Sequence, residues 1–158
     1  MGIVLFVAPH PDDETLGCGG SILRHKAEGD EIHWLIMTTI SEGASYSKER
    51  VQARAKEIKK VAQAYGFLSV HQAEFIATEL DRLPKTSLID VVSKCFNNIK
   101  PSTVYVPFRN DVHSDHKAVF DAVSSCSKPF RYPFLKRILA YETLSETEFS
   151  ISPNSNGF

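Results

Sequence analysis

The run Ile3–Ala8, IVLFVA, is apolar at every position, with no polar residue alternating through it. A strand of that kind has no face to give to water. It needs cover on both sides, and a parallel sheet with helices on each face supplies it. The run ends at Pro9, His10 and Pro11, where proline cannot donate to a sheet ladder. Further apolar runs follow at Ile32–Thr39, more weakly at Val70–Ile76, then at Thr103–Val106 and Arg137–Tyr141. Helical patterns fill the gaps. Leu16–Ala27 precedes a turn at Gly29 and Asp30, and Lys48–Tyr65 carries Val51, Ala55, Ile58 and Ala62 at helical spacing and stops at Gly66. Thr86–Ile99 places Leu88, Val91, Val92 and Cys95 on one side, and a fourth helix starts near Asp115 and runs through Ala118, Val119 and Ala122. Strand and helix alternating in this way imply right-handed crossovers. The expected fold is α/β: a doubly wound, mainly parallel, five-stranded sheet in the order 3-2-1-4-5, with helices on both faces.

At 158 residues the chain has the size of one domain, and its 42% hydrophobic and 23% charged residues fit a globular chain that folds by burial. The expected domain spans residues 1–142. From Thr143 the sequence turns polar and turn-rich, and residues 143–158 read as a poorly ordered tail or as the start of a truncated segment. A formal net charge of -1 gives no bulk attraction for nucleic acid or for an anionic membrane, so neither is an expected partner. No apolar run approaches the ~18 residues of a membrane span, and Ile3–Ala8 is too short and lacks the basic flank of a secretory signal. Cys18, Cys95 and Cys126 form no CxxC pair and are odd in number, which argues against a disulfide framework and points to a reducing, cytoplasmic setting.

Two polar clusters interrupt this apolar frame. PHPDDE, from Pro9 to Glu14, follows the first strand, and NDVHSDH, from Asn110 to His116, follows the fourth. In the order 3-2-1-4-5 the first and fourth strands are neighbours at the reversal point, where ligands bind beyond the strand ends. Far apart in sequence, the clusters should meet in space. Together they bring three imidazoles and several carboxylates, a donor set that suits Zn2+ better than Mg2+, which prefers oxygen alone. Taken alone, Asp12, Asp13 and Glu14 also suit capping of the following helix, where carboxylates meet the positive end of the dipole. His10, fixed between two prolines at a strand end, is not explained by capping.

The motif from Ala8 to Glu14, APHPDDE, with the later HSDH from His113 to His116, resembles the PIG-L/LmbE-like zinc-dependent N-acetylglucosaminyl deacetylases, and the resemblance covers residues 1–142. That family has a Rossmann-like sheet and removes an acetyl group from N-acetylglucosamine carried on inositol, malate, lipid or another sugar. The resemblance implies a metal-dependent hydrolase acting on a glycoconjugate, a glycolipid or a sugar-linked small molecule, with Zn2+, or Fe2+ or Co2+ in its place, as cofactor. It further implies His10, Asp13 and His116 as metal ligands, Asp12 as general base, and His113 as the second catalytic group, held by Asp115.

The chemistry of these residue types agrees with those roles. Two histidines and one carboxylate leave positions open on a metal, as a catalytic site requires, and such an ion lowers the pKa of water from about 15.7 towards ~7. A carboxylate committed to the metal cannot also take a proton, which gives two consecutive aspartates separate uses. His113 and His116 are three apart and face the same way at a helix start, so one can bind while the other donates to an oxyanion or a leaving amine. An Asp115 carboxylate accepting the other N–H of His113 would set its tautomer.

Arg54, with Arg50, opens the second helix, where the resemblance implies an arginine that contacts substrate, with a solvated helix face beside Glu57 as the plainer reading; Arg109 and Asn110, at the start of the second cluster, are candidates to contact a sugar or phosphate. The polar loop Ser41–Ser47 is expected on the rim of the site. Gly17, Gly19 and Gly20 depart from the dinucleotide pattern GxGxxG and suggest close helix–sheet packing instead. Cys18 has no basic neighbour in sequence and reads as a small packed residue. His25, His33 and His71 are isolated and are assigned to surface or core.

Relatives of this kind continue well past the fifth strand, whereas this sequence stops in a Ser/Asn-rich stretch at Phe158. The chain is expected to be a short member or a truncated one, with assembly into a homo-oligomer as one way to supply missing pocket walls. Two other classes stay open. A set of two histidines and one carboxylate also serves non-haem Fe2+ oxygenases, where a free Asp12 has no use. A truncated pocket could also bind metal or sugar without turnover. Oxygen consumption marks the first, and bound ligand without acetate release marks the second.

Overall fold

The computed structural model of the chain describes residues 1–43, 45–144 and 146–149. β1 (Ile3–Ala8) leads into α1 (Asp13–Ala27), β2 (Glu31–Thr39), α2 (Lys48–Tyr65), β3 (Ser69–Ile76), α3 (Lys85–Ile99), β4 (Thr103–Pro107), α4 (Ser114–Ser125) and β5 (Arg137–Tyr141). The described strands form a five-stranded sheet in the order β3-β2-β1-β4-β5, with every pairing parallel. This is the doubly wound α/β arrangement expected from the alternation of patterns.

β1 carries the reason for the architecture. Leu5 and Val7 pack with Leu35, Met37, Val104 and Val106 against α3 and α4, while Val4, Phe6 and Ala8 pack with Ile32, Trp34 and Ile36 against α1 and α2. Each of these β1 side chains is at most 1% exposed, so a polar residue at any of them would be stranded without water. β1 pairs with β2 on one side and with β4 on the other. The chain leaves the sheet towards opposite faces at these two strands, and their C-terminal ends open onto a common crevice.

Helix ends follow local chemistry. α1 starts at Asp13 rather than at Leu16, because the Leu16 N–H already bonds the Asp12 carbonyl at 3.0 Å and two acids, Asp13 and Glu14, sit in the positive first turn. α2 starts where the Ser47 hydroxyl accepts the Arg50 N–H and stops at Gly66, whose φ of 78° is the left-handed cap that glycine adopts freely. A 3-10 turn at Leu80–Arg82, without a signal in the sequence, joins β3 to α3. Among the described residues no helix is long and apolar enough to cross a membrane.

Within the stretch from Thr143 onward, expected as a poorly ordered tail or as the start of a truncated segment, two described threonines are packed. Thr143 and Thr147 are 1% and 8% exposed. Their polarity made them look like tail, but the Thr147 hydroxyl is buried in hydrogen bonds, donating to Asp111 at 2.6 Å and accepting the Thr143 backbone N–H at 2.9 Å. Residue 145 and residues 150–158 lie outside the described residues.

The glycine-rich start of α1 serves packing, as its departure from a dinucleotide pattern suggested. A Cβ on Gly17 would lie 2.7 Å from the Glu142 carbonyl oxygen and closer still to the Tyr141 ring, whereas one on Gly20 would meet nothing within 4 Å. Tyr141 is itself pinned, its hydroxyl donating to the Val7 carbonyl at 2.9 Å. Gly17→Ala is therefore expected to destabilise the fold by about 1–3 kcal/mol through overpacking. Gly20→Ala, at an open helical position, is expected to stabilise it by up to ~1 kcal/mol. Urea midpoints that move in opposite directions for the two variants are the check, and a shared direction would remove the tight α1–β5 contact as the reason for Gly17.

Candidate active site

The two polar clusters meet at the ends of β1 and β4 in a crevice of about 310 Å3, lined by His10, Asp12, Asp13 and His113 among others. The His10 ring centre lies 4.6 Å from that of His113 and 5.5 Å from that of His116. Asp13 Oδ2 accepts the His10 backbone N–H at 2.8 Å and lies 3.2 Å from His10 Nδ1 and 3.3 Å from His116 Nε2. One ligand atom from each of His10, Asp13 and His116 falls within 4.8 Å of the other two, and His10, His113 and Asp115 form a second such group.

Each of the two inner histidines is held from behind by a carboxylate. His10 Nε2 contacts Asp115 Oδ2 at 3.0 Å, and His116 Nδ1 contacts Asp111 Oδ2 at 2.7 Å. An imidazole that gives one N–H to a carboxylate presents a lone pair at its other nitrogen, the usual arrangement of a metal-ligating histidine. His116 Nε2 is buried and has no hydrogen-bond partner among the described residues, although it points at the Asp13 carboxylate. An orphaned ring nitrogen, a second imidazole and a carboxylate converging on one spot fit a divalent cation of the zinc type.

The charges of the metal-free cluster are set by the same contacts. Burial alone would lower the pKa values of His10 and His116, but the hydrogen bonds of His10 to Asp115 and Asp13, and for His116 the bond to Asp111 with the nearby charge of Asp13, prevail and raise both to about 9. Burial works to raise that of Asp13, yet its bond from His10 and the nearby charge of His116 hold it well below the usual carboxylate range. Asp12 differs from its neighbour: its side chain is 54% exposed, and partial burial and the charge of Asp13 raise its pKa. Burial and the nearby His10 lower that of His113, so this imidazole is neutral near neutrality. Burial lifts Glu14 to about 7.

One expected contact is corrected. The Asp115 carboxylate does not hold His113; it faces His10 and takes the backbone N–H groups of Thr78 at 2.7 Å and Leu80 at 3.1 Å. His113 is the N-cap of α4, so its Nδ1 turns to the free N–H of the first turn and accepts it, from Asp115, at 3.1 Å. That bond leaves the proton of neutral His113 on Nε2.

Among the substrate-contact candidates only Arg54 lines the crevice; its Nη1 donates to the Pro11 carbonyl at 2.9 Å and lies 3.9 Å from Asp12 Oδ2. Arg50 is exposed and bonds Glu57 at 3.2 Å. Arg109 is drawn to Asp121 of α4 at 3.0 Å, and neither it nor Asn110 lines the crevice. From the expected rim loop, Tyr46 reaches the site. Cys18 is buried, and its desolvated thiol is raised above the usual range, as a packed residue should be. His25 bonds Asp30 and Tyr105, and His33 and His71 share the Ser69 hydroxyl, all away from the crevice. Thr78, Thr143 and Glu146 line the crevice without having been singled out in the sequence. Asp111 stood inside the second cluster, and only its carboxylate type and closeness to His116 could have marked it.

Comparison with known proteins agrees with this geometry. The profile of the GlcNAc-PI de-N-acetylase family, PIG-L, matches residues 5–127. An uncharacterized deacetylase of Escherichia coli, YaiS, is 29% identical over 147 residues, which covers 90% of this chain and 74% of the relative. A diacetylchitobiose deacetylase of Thermococcus kodakarensis is 29% identical over 123 residues, 72% of this chain but 45% of the relative. The solved N,N'-diacetylchitobiose deacetylase of Pyrococcus horikoshii superposes with a TM-score of 0.72 at 25% identity, covering 90% of this chain and 61% of that one. This chain thus spans less than two thirds of either diacetylchitobiose deacetylase.

The raised histidines dictate a pH dependence. Their folded values, about 9, exceed the ordinary 6.5, so the stability they add is complete below 6.5 and disappears as pH rises through 9. After chelator treatment the chain is expected to unfold at progressively lower urea concentration between those limits. His10→Gln combined with His116→Gln should flatten the slope. A parent profile that is level or rising over this window would mean that the metal-free histidines are not held protonated.

Proposed function

Because the chain belongs to the GlcNAc-PI de-N-acetylase (PIG-L) family, we propose that it hydrolyses the acetamide of an N-acetylglucosamine-type substrate, releasing acetate and leaving a free amine. The observation that carries this reading is the pair of carboxylate-backed histidines converging with Asp13 beside an uncommitted carboxylate, Asp12. His10, Asp13 and His116 would hold Zn2+, or Fe2+ or Co2+ in its place. Such a cation supplies Lewis acidity towards the amide carbonyl and makes a water molecule acidic enough to attack near neutrality. The remaining steps belong to the chain.

Asp12 is exposed to the crevice and has a raised pKa, which suits a base that must both take and return a proton. It takes the proton from the attacking water as the new C–O bond forms, then passes it to the amine nitrogen as the C–N bond breaks. His113, neutral and protonated on Nε2, donates a hydrogen bond to the oxygen on which negative charge develops. The Asp115 backbone N–H that its Nδ1 accepts keeps the ring oriented and leaves Nε2–H to make that bond. Arg54, beside Asp12, steadies that carboxylate and offers a cation to polar groups of the substrate. A small glycoconjugate, glycolipid or sugar-linked molecule is the substrate class, in keeping with the diacetylchitobiose deacetylases above. A reducing, cytoplasmic setting is part of the reading; Cys18, Cys95 and Cys126 are all free and buried.

Acetate release from N-acetylglucosamine derivatives by zinc-loaded protein tests the proposal. Asp12→Asn is expected to lower kcat by roughly 10²–10⁴ with zinc content unchanged. His113→Ala is expected to cost on the order of 10²–10³ in kcat and little in KM, because its bond strengthens only in the transition state. Asp115→Asn should act differently, weakening zinc binding by roughly 10–100-fold, since its carboxylate backs His10 and not His113. Parent-like turnover in Asp12→Asn would remove Asp12 as the base. A zinc-loaded parent that binds sugar and releases no acetate would replace hydrolysis with a binding role.

A further inference from the structure

The turn that follows β5 is connected to the proposed metal cluster through one buried hydroxyl. Thr147 Oγ1 donates to Asp111 Oδ1 at 2.6 Å and accepts the Thr143 backbone N–H at 2.9 Å, while Asp111 Oδ2 contacts His116 Nδ1 at 2.7 Å. Asp111, His116, Thr143 and Thr147 are each at most 8% exposed, so little water competes for these bonds. Backbone bonds close the same turn: the N–H groups of Glu146 and Thr147 both reach the Thr143 carbonyl at 3.0 Å, and the Val112 N–H reaches the Glu146 carbonyl at 3.5 Å. Thr143 and Glu146 line the crevice beside His113, outside the stretch 5–127 that matches the family profile.

We infer that Thr147 is a positioning residue that couples cation binding at His116 to docking of Thr143, Glu146 and Thr147, so that loading the cation also builds the crevice wall made by Thr143 and Glu146. The inference rests on the reading of His10, Asp13 and His116 as cation ligands. A cation held by His116 would fix the ring in place, and with it the Nδ1–H that Asp111 Oδ2 accepts at 2.7 Å. In a network shielded from water each hydrogen bond polarises the next, so the Asp111 carboxylate and the Thr147 hydroxyl are held more firmly in turn. Coupling between two equilibria is reciprocal, and a docked turn must therefore raise cation affinity by the factor with which the cation favours docking. Without the hydroxyl, Asp111 Oδ1 and the Thr143 N–H each lose a buried partner.

The test uses zinc as the probe and the full chain. Zinc affinity is measured by competition with a chromophoric chelator for the parent, Thr147→Val and Thr147→Ser, and amide hydrogen exchange of Glu146 and Thr147 is followed in the parent with and without zinc. Thr147→Val is expected to bind zinc about 10-fold more weakly, the low end for groups that hold a metal ligand in place, and Thr147→Ser to restore binding. Exchange at the two amides is expected to slow when zinc is added. Equal zinc affinity in Thr147→Val and the parent, or exchange that zinc leaves unchanged, overturns the coupling while the metal reading stands. The exchange arm decides even where Thr147→Val fails to fold. A parent that takes up no zinc overturns the metal reading and the inference together.

Discussion

Oδ2 of Asp13 takes the backbone N–H of His10 at 2.8 Å and lies within 3.3 Å of ring nitrogens from His10 and His116, which enter the site from β1 and from α4. Withdrawing a carboxylate from water costs several kcal/mol, and the cost is offset only where opposite charge and donors are already in position. At Asp13 they are supplied by three separate parts of the fold: the strand end that fixes His10, the first turn of α1 that carries Asp13, and the first turn of α4 that carries His116. The adjacency of β1 and β4 in the sheet is what brings these parts together. Exchanging β4 with any other strand would leave the carboxylate buried with half its partners.

Around that oxygen the site is built as two arms. Asp115 stands behind His10 and Asp111 behind His116, so each imidazole is fixed in ring orientation and in the nitrogen it presents. Asp115 is in turn fixed by backbone N–H groups of Thr78 and Leu80. Thr78 has a φ of 69°, in the left-handed region that a β-branched residue seldom enters, at a cost of order 1–3 kcal/mol. Its N–H reaches Asp115 Oδ2 at 2.7 Å. Local strain at the end of β3 is thus exchanged for a firmly held carboxylate behind a proposed metal ligand.

The sheet order and the meeting of the two polar clusters were legible because they rest on short-range signals: an all-apolar strand, alternating periodicity, and polar residues placed at strand ends. The contacts within the cluster were less so. HSDH places His113 and Asp115 side by side, and proximity in sequence suggested a carboxylate–imidazole bond between them. The N-cap geometry of α4 turns the two side chains to different partners instead. Arg109 read as a site residue for the same reason of nearness, and Asp121 of α4, 12 residues further along, captured it. Thr143 and Thr147 look like linker in a sequence because hydroxyls are as common in loops as in buried networks. For Thr147 only the Asp111 carboxylate, brought to its hydroxyl by the fold, tells the two apart.

The central position of β1 also has a consequence in time. β1 and β4 are paired neighbours, Val4 opposite Thr103 and Phe6 opposite Tyr105, yet the paired residues are 99 positions apart in the chain. At synthesis rates of roughly 5–20 residues per second, β4 leaves the ribosome on the order of 5–20 s after β1. Throughout that interval one of the two flanks of the most apolar strand has no partner, while β2 and α1 can already cover the other. The nascent chain therefore carries an open, wholly apolar strand edge for seconds, the period in which strand-to-strand association with other chains competes with folding. Protection of this molecule from aggregation depends on what shields that edge until β4 arrives.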